Sequence, residues 1–151
     1  MTGTAGTNDY FEITGVQLET GSVATPFERR PYGTELQLCQ RYCQKLAGDT
    51  AYTVVVQGSQ SSTTSGVLTY NFCNPMRASP TATFGTIADF YARNYAIISN
   101  LVTFTLDTGV NSTKETASFL VTWGGAGAAA GDGIQIVSGA NAPKVILSAE
   151  L

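Results

Sequence analysis

Between Ala51 and Ala149 the chain breaks into seven short stretches rich in β-branched and aromatic residues: 51–58, 65–73, 80–86, 95–106, 115–123, 133–138 and 143–149. Gly58-Ser59, Gly85-Thr86, Asp107-Thr108-Gly109, Gly124-Gly125 and the run from Gly139 to Pro143 punctuate them as turns. Such residues favour a pleated, half-buried surface, and regular turn signals between them point to packed sheet. The expected fold class is mainly β, with a jelly-roll-like β-sandwich head over residues 49–151. The Ser-, Thr- and Asn-rich sections 59–66 and 107–116 read as exposed loops.

Upstream the pattern changes. Tyr10, Glu12, Thr14, Val16 and Leu18 alternate with Phe11, Ile13, Gly15 and Gln17, which predicts an extended strand with apolar residues on both faces. A lone strand leaves backbone groups unpaired, so residues 1–30 read as a strand and linker left from an upstream β-domain. Pro26 and Pro31 bracket Phe27 to Arg30 and keep that segment out of helix. Thr34-x-x-Gln37 then matches a capping box, and Gly48 after Lys45 supplies a stop. A capped helix is expected over 31–48. Leu36, Cys39, Cys43 and Leu46 follow the 3-4-3 spacing of a coiled-coil seam. That stripe fits an oligomerisation neck, or alternatively packing against the chain's own β-domain. A helix so short does not persist alone and must dock on something.

Composition excludes several functions. Charged residues make up 13% of the chain and the net charge is −3, whereas globular domains average roughly 25% charged residues. The eight Lys and Arg are scattered, with Arg29-Arg30 the only adjacent pair, so no nucleic-acid partner is expected. No apolar run reaches membrane-spanning length, and the first ten residues have no signal-peptide pattern. With no His, the Ser-His-Asp and Cys-His arrangements cannot form. Cys39, Cys43 and Cys73 match structural zinc spacing poorly and read as reduced, largely buried thiols. Asp107, Glu115 and Asp132 fall at turns or strand edges, without the paired carboxylates of a glycosidase. We therefore expect no enzyme activity, no cofactor and no metal.

Two places attract attention as binding surfaces. In Phe90-Tyr91-Ala92-Arg93-Asn94-Tyr95 the Tyr rings offer apolar faces with hydroxyls, and Arg and Asn offer directed hydrogen bonds. Tyr91, Arg93 and Tyr95 are receptor-binding candidates, with the plainer alternative that the aromatics fill the core and Arg93 covers apolar surface with its stem. Trp123, just before Gly124-Gly125, is either a core anchor or a platform at a loop edge. The run 124–133 lacks the Gly-Lys-Ser/Thr ending of a phosphate loop and reads as a flexible tip or tight turn.

The order strand, Pro-marked bend, helix also carries a resemblance. The run from Ile13 to Tyr42, ITGVQLETGSVATPFERRPYGTELQLCQRY, resembles the junction in tailed-bacteriophage tail-fibre and virion-adhesin proteins that leads from a jelly-roll module into a distal head. Pro75-Met76-Arg77-Ala78-Ser79-Pro80-Thr81 resembles a strand of those heads, and Ser148-Ala149-Glu150-Leu151 their ending. The resemblance implies a virion-located head that attaches to a host-surface glycan or protein. It also implies a homotrimer with the helix near its axis, and neighbours among other phage tail or virion proteins. Three weak sites on one tip would add through multivalency. The alternative is a purely structural virion component, a fibre connector or capsid decoration, that binds no receptor.

Overall fold

The computed structural model describes residues 13–14, 16–23, 25–27, 29–47, 49–108, 111–125 and 129–149. Among them the fold is mainly β, with one α-helix, α1 (Tyr32–Gln40), and nine strands. These are β1 (Cys43–Ala47), β2 (Val54–Gln60), β3 (Ser65–Asn71), β4 (Thr81–Phe84), β5 (Phe90–Arg93), β6 (Ile98–Leu106), β7 (Thr116–Trp123), β8 (Gly133–Ser138) and β9 (Val145–Ser148). Six of them close into a barrel in the order β2-β3-β7-β6-β5-β8, and the others form a three-stranded sheet, β1-β9-β4. Every pairing is antiparallel. The expected sandwich thus becomes a closed barrel with a small sheet beside it.

Alternation within the strands fills the barrel, as a small barrel requires. Along β7, Ala117, Phe119, Val121 and Trp123 point inward and are buried, while Leu120 faces out. On β8 the inward residues are Ile134, Ile136 and Ser138, and on β5 they are Phe90 and Ala92. In β6 a bulge between Leu101 and Thr103 shifts the phase, so Leu101 and Phe104, three apart, both face the core. Val145 and Leu147 of β9 join the same cluster, so sheet and barrel share one core. Phe84 of β4 completes the join, its ring 4.6 Å from that of Phe104 and 6.2 Å from that of Phe119.

Several expectations need correction. The helix spans Tyr32–Gln40 and has Pro31 as its N-cap, with no side-chain cap bond. Thr34 already lies inside it, so the Thr34/Gln37 capping box is not formed; the Pro31 carbonyl instead accepts from the Thr34 and Glu35 amides at 3.0 and 3.2 Å. The helix ends before Gly48 because tertiary hydrogen bonds claim the next carbonyls. Arg41 O accepts from Arg77 N and Tyr42 O from Ala149 N, both at 2.8 Å. Residues 43–47 then pair with β9 as a strand rather than continuing the helix. Leu36 and Cys39 stay on α1, while Cys43 and Leu46 sit on β1, so the four make no continuous helical stripe. All three cysteines are exposed rather than buried, since β1 turns Gln44 and Ala47 inward in place of Cys43. Gly58-Ser59 is not a turn but part of β2, and the chain reverses between Gln60 and Ser65. The section 75–80, expected to enter a strand, is irregular until β4 begins at Thr81.

The predicted N-terminal strand falls partly on residues 10–12 and 15, outside the described residues. The described residues between 13 and 31 contain no strand, and Ile13, Val16, Leu18 and Val23 are exposed. A polar clip orders part of this segment. The Glu19 carboxylate accepts from Thr25 N at 2.6 Å, from Gln17 Nε2 at 3.1 Å and from the Thr25 hydroxyl. The Thr25 hydroxyl, then the Thr25 amide and Gln17, hold the Glu19 pKa below its ordinary value of 4.5. A carboxylate held low stabilises the clip at pH above its unfolded value, and the contribution disappears as pH falls through the lowered midpoint. A carbon-detected NMR titration of Glu19 should therefore give a midpoint below 4.5, and Thr25→Val should move it upward. A midpoint at or above the ordinary value would disprove the clip.

Candidate functional site

With Phe90 and Ala92 committed to the core, β-strand alternation places Tyr91 and Arg93 on the outer wall of the barrel. Register then sets their neighbours. Arg93 is opposite Gln135 on β8 and Ile98 on β6, and Gln135 is opposite Gln57 on β2. Gln57, Gln135, Arg93 and Ile98 thus form a row across four adjacent strands. Arg93 Nη2 donates to Gln135 Oε1 at 3.0 Å, which fixes the guanidinium along the wall. In the next row Tyr91 is opposite Val137 and Asn100.

Two depressions flank Arg93. The larger, about 590 Å³, is lined by Gln57, Arg93, Asn94, Tyr95, Gly133 and Gln135 among others. Tyr95 is 86% exposed, and its hydroxyl lies 3.4 Å from Asp132 Oδ2. Asn94 turns the β5–β6 hairpin, its Oδ1 accepting from the Ala96 and Ile97 amides, both at 2.8 Å. That leaves the Asn94 Nδ2 donor buried in the depression's lining without a partner among the described residues. An unmet buried donor costs on the order of 1–3 kcal/mol, which an acceptor on a bound molecule relieves.

The smaller depression, about 200 Å³, is apolar and is lined by Tyr52, Tyr91, Arg93, Ile98 and Val137. Tyr52 has φ 59°, in the left-handed region where a bulky side chain is an outlier. The strain is held by Ser138, whose carbonyl accepts from Tyr52 N at 2.9 Å and whose hydroxyl accepts from Thr53 N at 3.0 Å. Backbone strain of order 1–3 kcal/mol persists where the surroundings over-determine it. Here the result is an aromatic ring, 69% exposed, at the rim of an apolar slot. Among the described residues no carboxylate lines either depression.

Of the four receptor candidates, the fold brings together Tyr91, Arg93 and Tyr95 and separates Trp123. Trp123 is 3% exposed and faces the barrel interior with Phe119 and Val121, so it is a core anchor and no platform. Its Nε1 and the side-chain amide of buried Gln60 have no hydrogen-bond partner among the described residues. Tyr52, Asn94, Gln57 and Gln135 complete the surface. Sequence signals for them are weak, because register and a tertiary pin put them there. Among the described residues no helix is long and apolar enough to cross a membrane. Comparison of the chain with protein-family models, with characterised proteins and with solved structures finds no match to any of them.

Proposed function

We propose that this protein is the receptor-binding head of a phage tail fibre or related virion adhesin, and that the outer-wall surface around Arg93 is where it meets a host-surface glycan or protein. The observation that carries this reading is the paired depression itself. One exposed cation, three tyrosines, two glutamines and an unmet Asn94 donor converge on a wall that the core does not need. Tyr and Arg are enriched among residues that dominate binding energy, and side-chain amides suit the hydroxyls of a sugar. The junction resemblance supplies the context of attachment. In this reading the head acts as a homotrimer on an upstream β-module, α1 lies near the axis, and three modest sites act together. Exposed Leu36 and Cys39 then lie where another copy would cover them.

Binding of the full chain to intact bacterial cells, and to lipopolysaccharide extracted from them, tests the assignment. Saturable binding is expected. Arg93→Ala and Tyr95→Ala should each weaken it about tenfold or more, as loss of a central anchor does, with far-UV circular dichroism unchanged. Binding that is saturable yet indifferent to both variants would move the contact elsewhere on the head. An absence of binding to every surface would favour a connector or decoration protein. Light scattering with and without reductant, reading three chain masses, checks the trimer.

A further inference from the structure

A second surface, unrelated to the Arg93 wall, has a different chemistry. Between α1 and the irregular segment 74–77 lies a groove of about 480 Å³ lined by Thr34, Gln37, Arg41, Asn74, Arg77 and Lys114 among others. Three of the chain's eight basic residues meet there, although 36 and 37 positions separate them in sequence. Backbone hydrogen bonds hold them together: Arg77 N donates to Arg41 O at 2.8 Å, and Met76 N donates to Lys114 O at 2.7 Å. Met76, 2% exposed, anchors the segment in the core. Asn74 is braced by its own Nδ2 donating to Gln40 Oε1 at 2.6 Å and by Gln44 Nε2 donating to its carbonyl at 3.1 Å.

Among the described residues no carboxylate lines this groove, and the neighbouring Glu115 is not part of it. The ion pairs formed among the described residues, Arg30 with Glu35 and Lys45 with Asp49, leave Arg41, Arg77 and Lys114 out. The Arg77 guanidinium instead lies 5.8 Å over the Tyr42 ring, a contact that orients it without neutralising it. Like charges gathered in a groove repel one another and raise the local positive potential. In a chain with net charge −3, such a grouping is compensated by an anion. Guanidinium forks match tetrahedral oxyanions in two-pronged fashion, an ammonium adds a point charge, and the Thr34 hydroxyl and Gln37 amide add neutral donors. Three cations exceed what one carboxylate neutralises and suit a dianion.

We propose that the α1 groove binds a phosphate monoester, with Arg41, Arg77 and Lys114 as its ligands. The phosphate comes either free or carried on a surface saccharide, and the two sources are separable. Calorimetric titration of the full chain at low salt with inorganic phosphate, glucose 6-phosphate, glucose and glucuronate reads the chemistry. Both phosphate probes are expected to bind and glucose is not. Equal affinity for the two phosphates assigns free phosphate, and a preference for glucose 6-phosphate assigns a saccharide-borne one. Arg77→Gln and the exposed Lys114→Gln should each weaken binding about tenfold or more, the loss expected for a charge-assisted hydrogen bond. Lys114→Gln keeps the test decisive if Arg77→Gln disturbs the segment. Failure of both phosphates to bind would overturn the proposal, as would glucose or glucuronate matching glucose 6-phosphate, or unchanged affinity in Lys114→Gln. A thymidine oligonucleotide that binds far more tightly than either phosphate would overturn it in favour of nucleic acid. Because no residue is shared with the Arg93 wall, Arg93→Ala should leave phosphate affinity unchanged.

Discussion

Phe104→Ala is expected to cost about 3–5 kcal/mol of folding stability, the range for truncating a buried Phe. Phe104 is 1% exposed and is the hub of an aromatic cluster. Its ring centroid lies 4.6 Å from Phe84, 5.2 Å from Phe90 and 5.4 Å from Phe119. The last two contacts are edge-on, the geometry that aromatic quadrupoles favour, adding about 0.5–1.5 kcal/mol per pair beyond area burial. Phe90 and Phe119 come from barrel strands and Phe84 from the small sheet, so the truncation opens a cavity where the two sheets join. Surrounding side chains cannot collapse into it easily, because strand pairing fixes the backbones on both sides. Against a total stability of about 5–15 kcal/mol, this is roughly a fifth or more. Urea denaturation should show the midpoint falling by roughly 2 M with the slope retained, given slopes of about 1–3 kcal/mol per molar. Phe104→Leu, which keeps most of the volume, should cost less than half as much. A midpoint unchanged in Phe104→Ala would mean that the aromatic join does not hold the sheets together.

The same cluster shows what sequence could and could not disclose. Runs of alternating residues around Leu68, Phe119 and Ile136 marked their strands, because one buried face imposes period two on the sequence. Trp123 stayed open between core and loop edge in the sequence; only the packed strand, with Ala117, Phe119 and Val121 on the same face, puts it inside. The bulge in β6 was not legible, since an inserted residue shows only when a partner strand is in place. The helix overran its true end in the sequence reading for a similar reason. Nothing local distinguishes Cys43–Ala47 from a further helical turn, and its strand state comes from β9, about a hundred residues downstream. Local preference yields to such tertiary pairing.

The sites divide along the same line. Tyr91 and Arg93 share a face by simple alternation and were visible at once. Tyr52 and Gln57 reach them only through the closure of β2 onto β8, and Tyr52 only through the Ser138 pin. The cationic groove is the extreme case. Arg41, Arg77 and Lys114 looked scattered in sequence, and this was part of the argument against a nucleic-acid partner. Two backbone hydrogen bonds, Arg77 to Arg41 and Met76 to Lys114, convert that scatter into one surface. Charge clustering is a property of the fold, so its absence along the chain carries little weight.

Barrel closure is the most exposed point of this architecture, and Gly58 controls it. The β2–β3 contact is short, registering Gly58 with Leu68, Ser59 with Val67 and Gln60 with Gly66. On its other side Gly58 is opposite Ile134 of β8. A Cβ at Gly58 would lie 2.2 Å from Val67 O and 2.7 Å from Leu68 Cα. Both atoms are backbone, so no rotamer change relieves the clash and β3 itself has to move. Moving it breaks the short ladder and leaves strand edges unpaired, which invites association. Gly58→Ala is expected to cost about 3 kcal/mol, at the upper end for overpacking, and to produce higher-mass species in light scattering. Gly33→Ala provides the control. Gly33 sits in α1 with nothing within 4 Å of the added carbon, so alanine there should be neutral or stabilise by up to roughly 1 kcal/mol. One methyl group added at each of two glycines should thus shift the urea midpoint down at Gly58 and leave it level or higher at Gly33. If both variants matched the parent midpoint, the tight β2–β3 approach that closes the barrel would be refuted. The larger depression beside Arg93 would then lose its fixed floor as well, because Gly58 lines it beside Gln57 and Arg93.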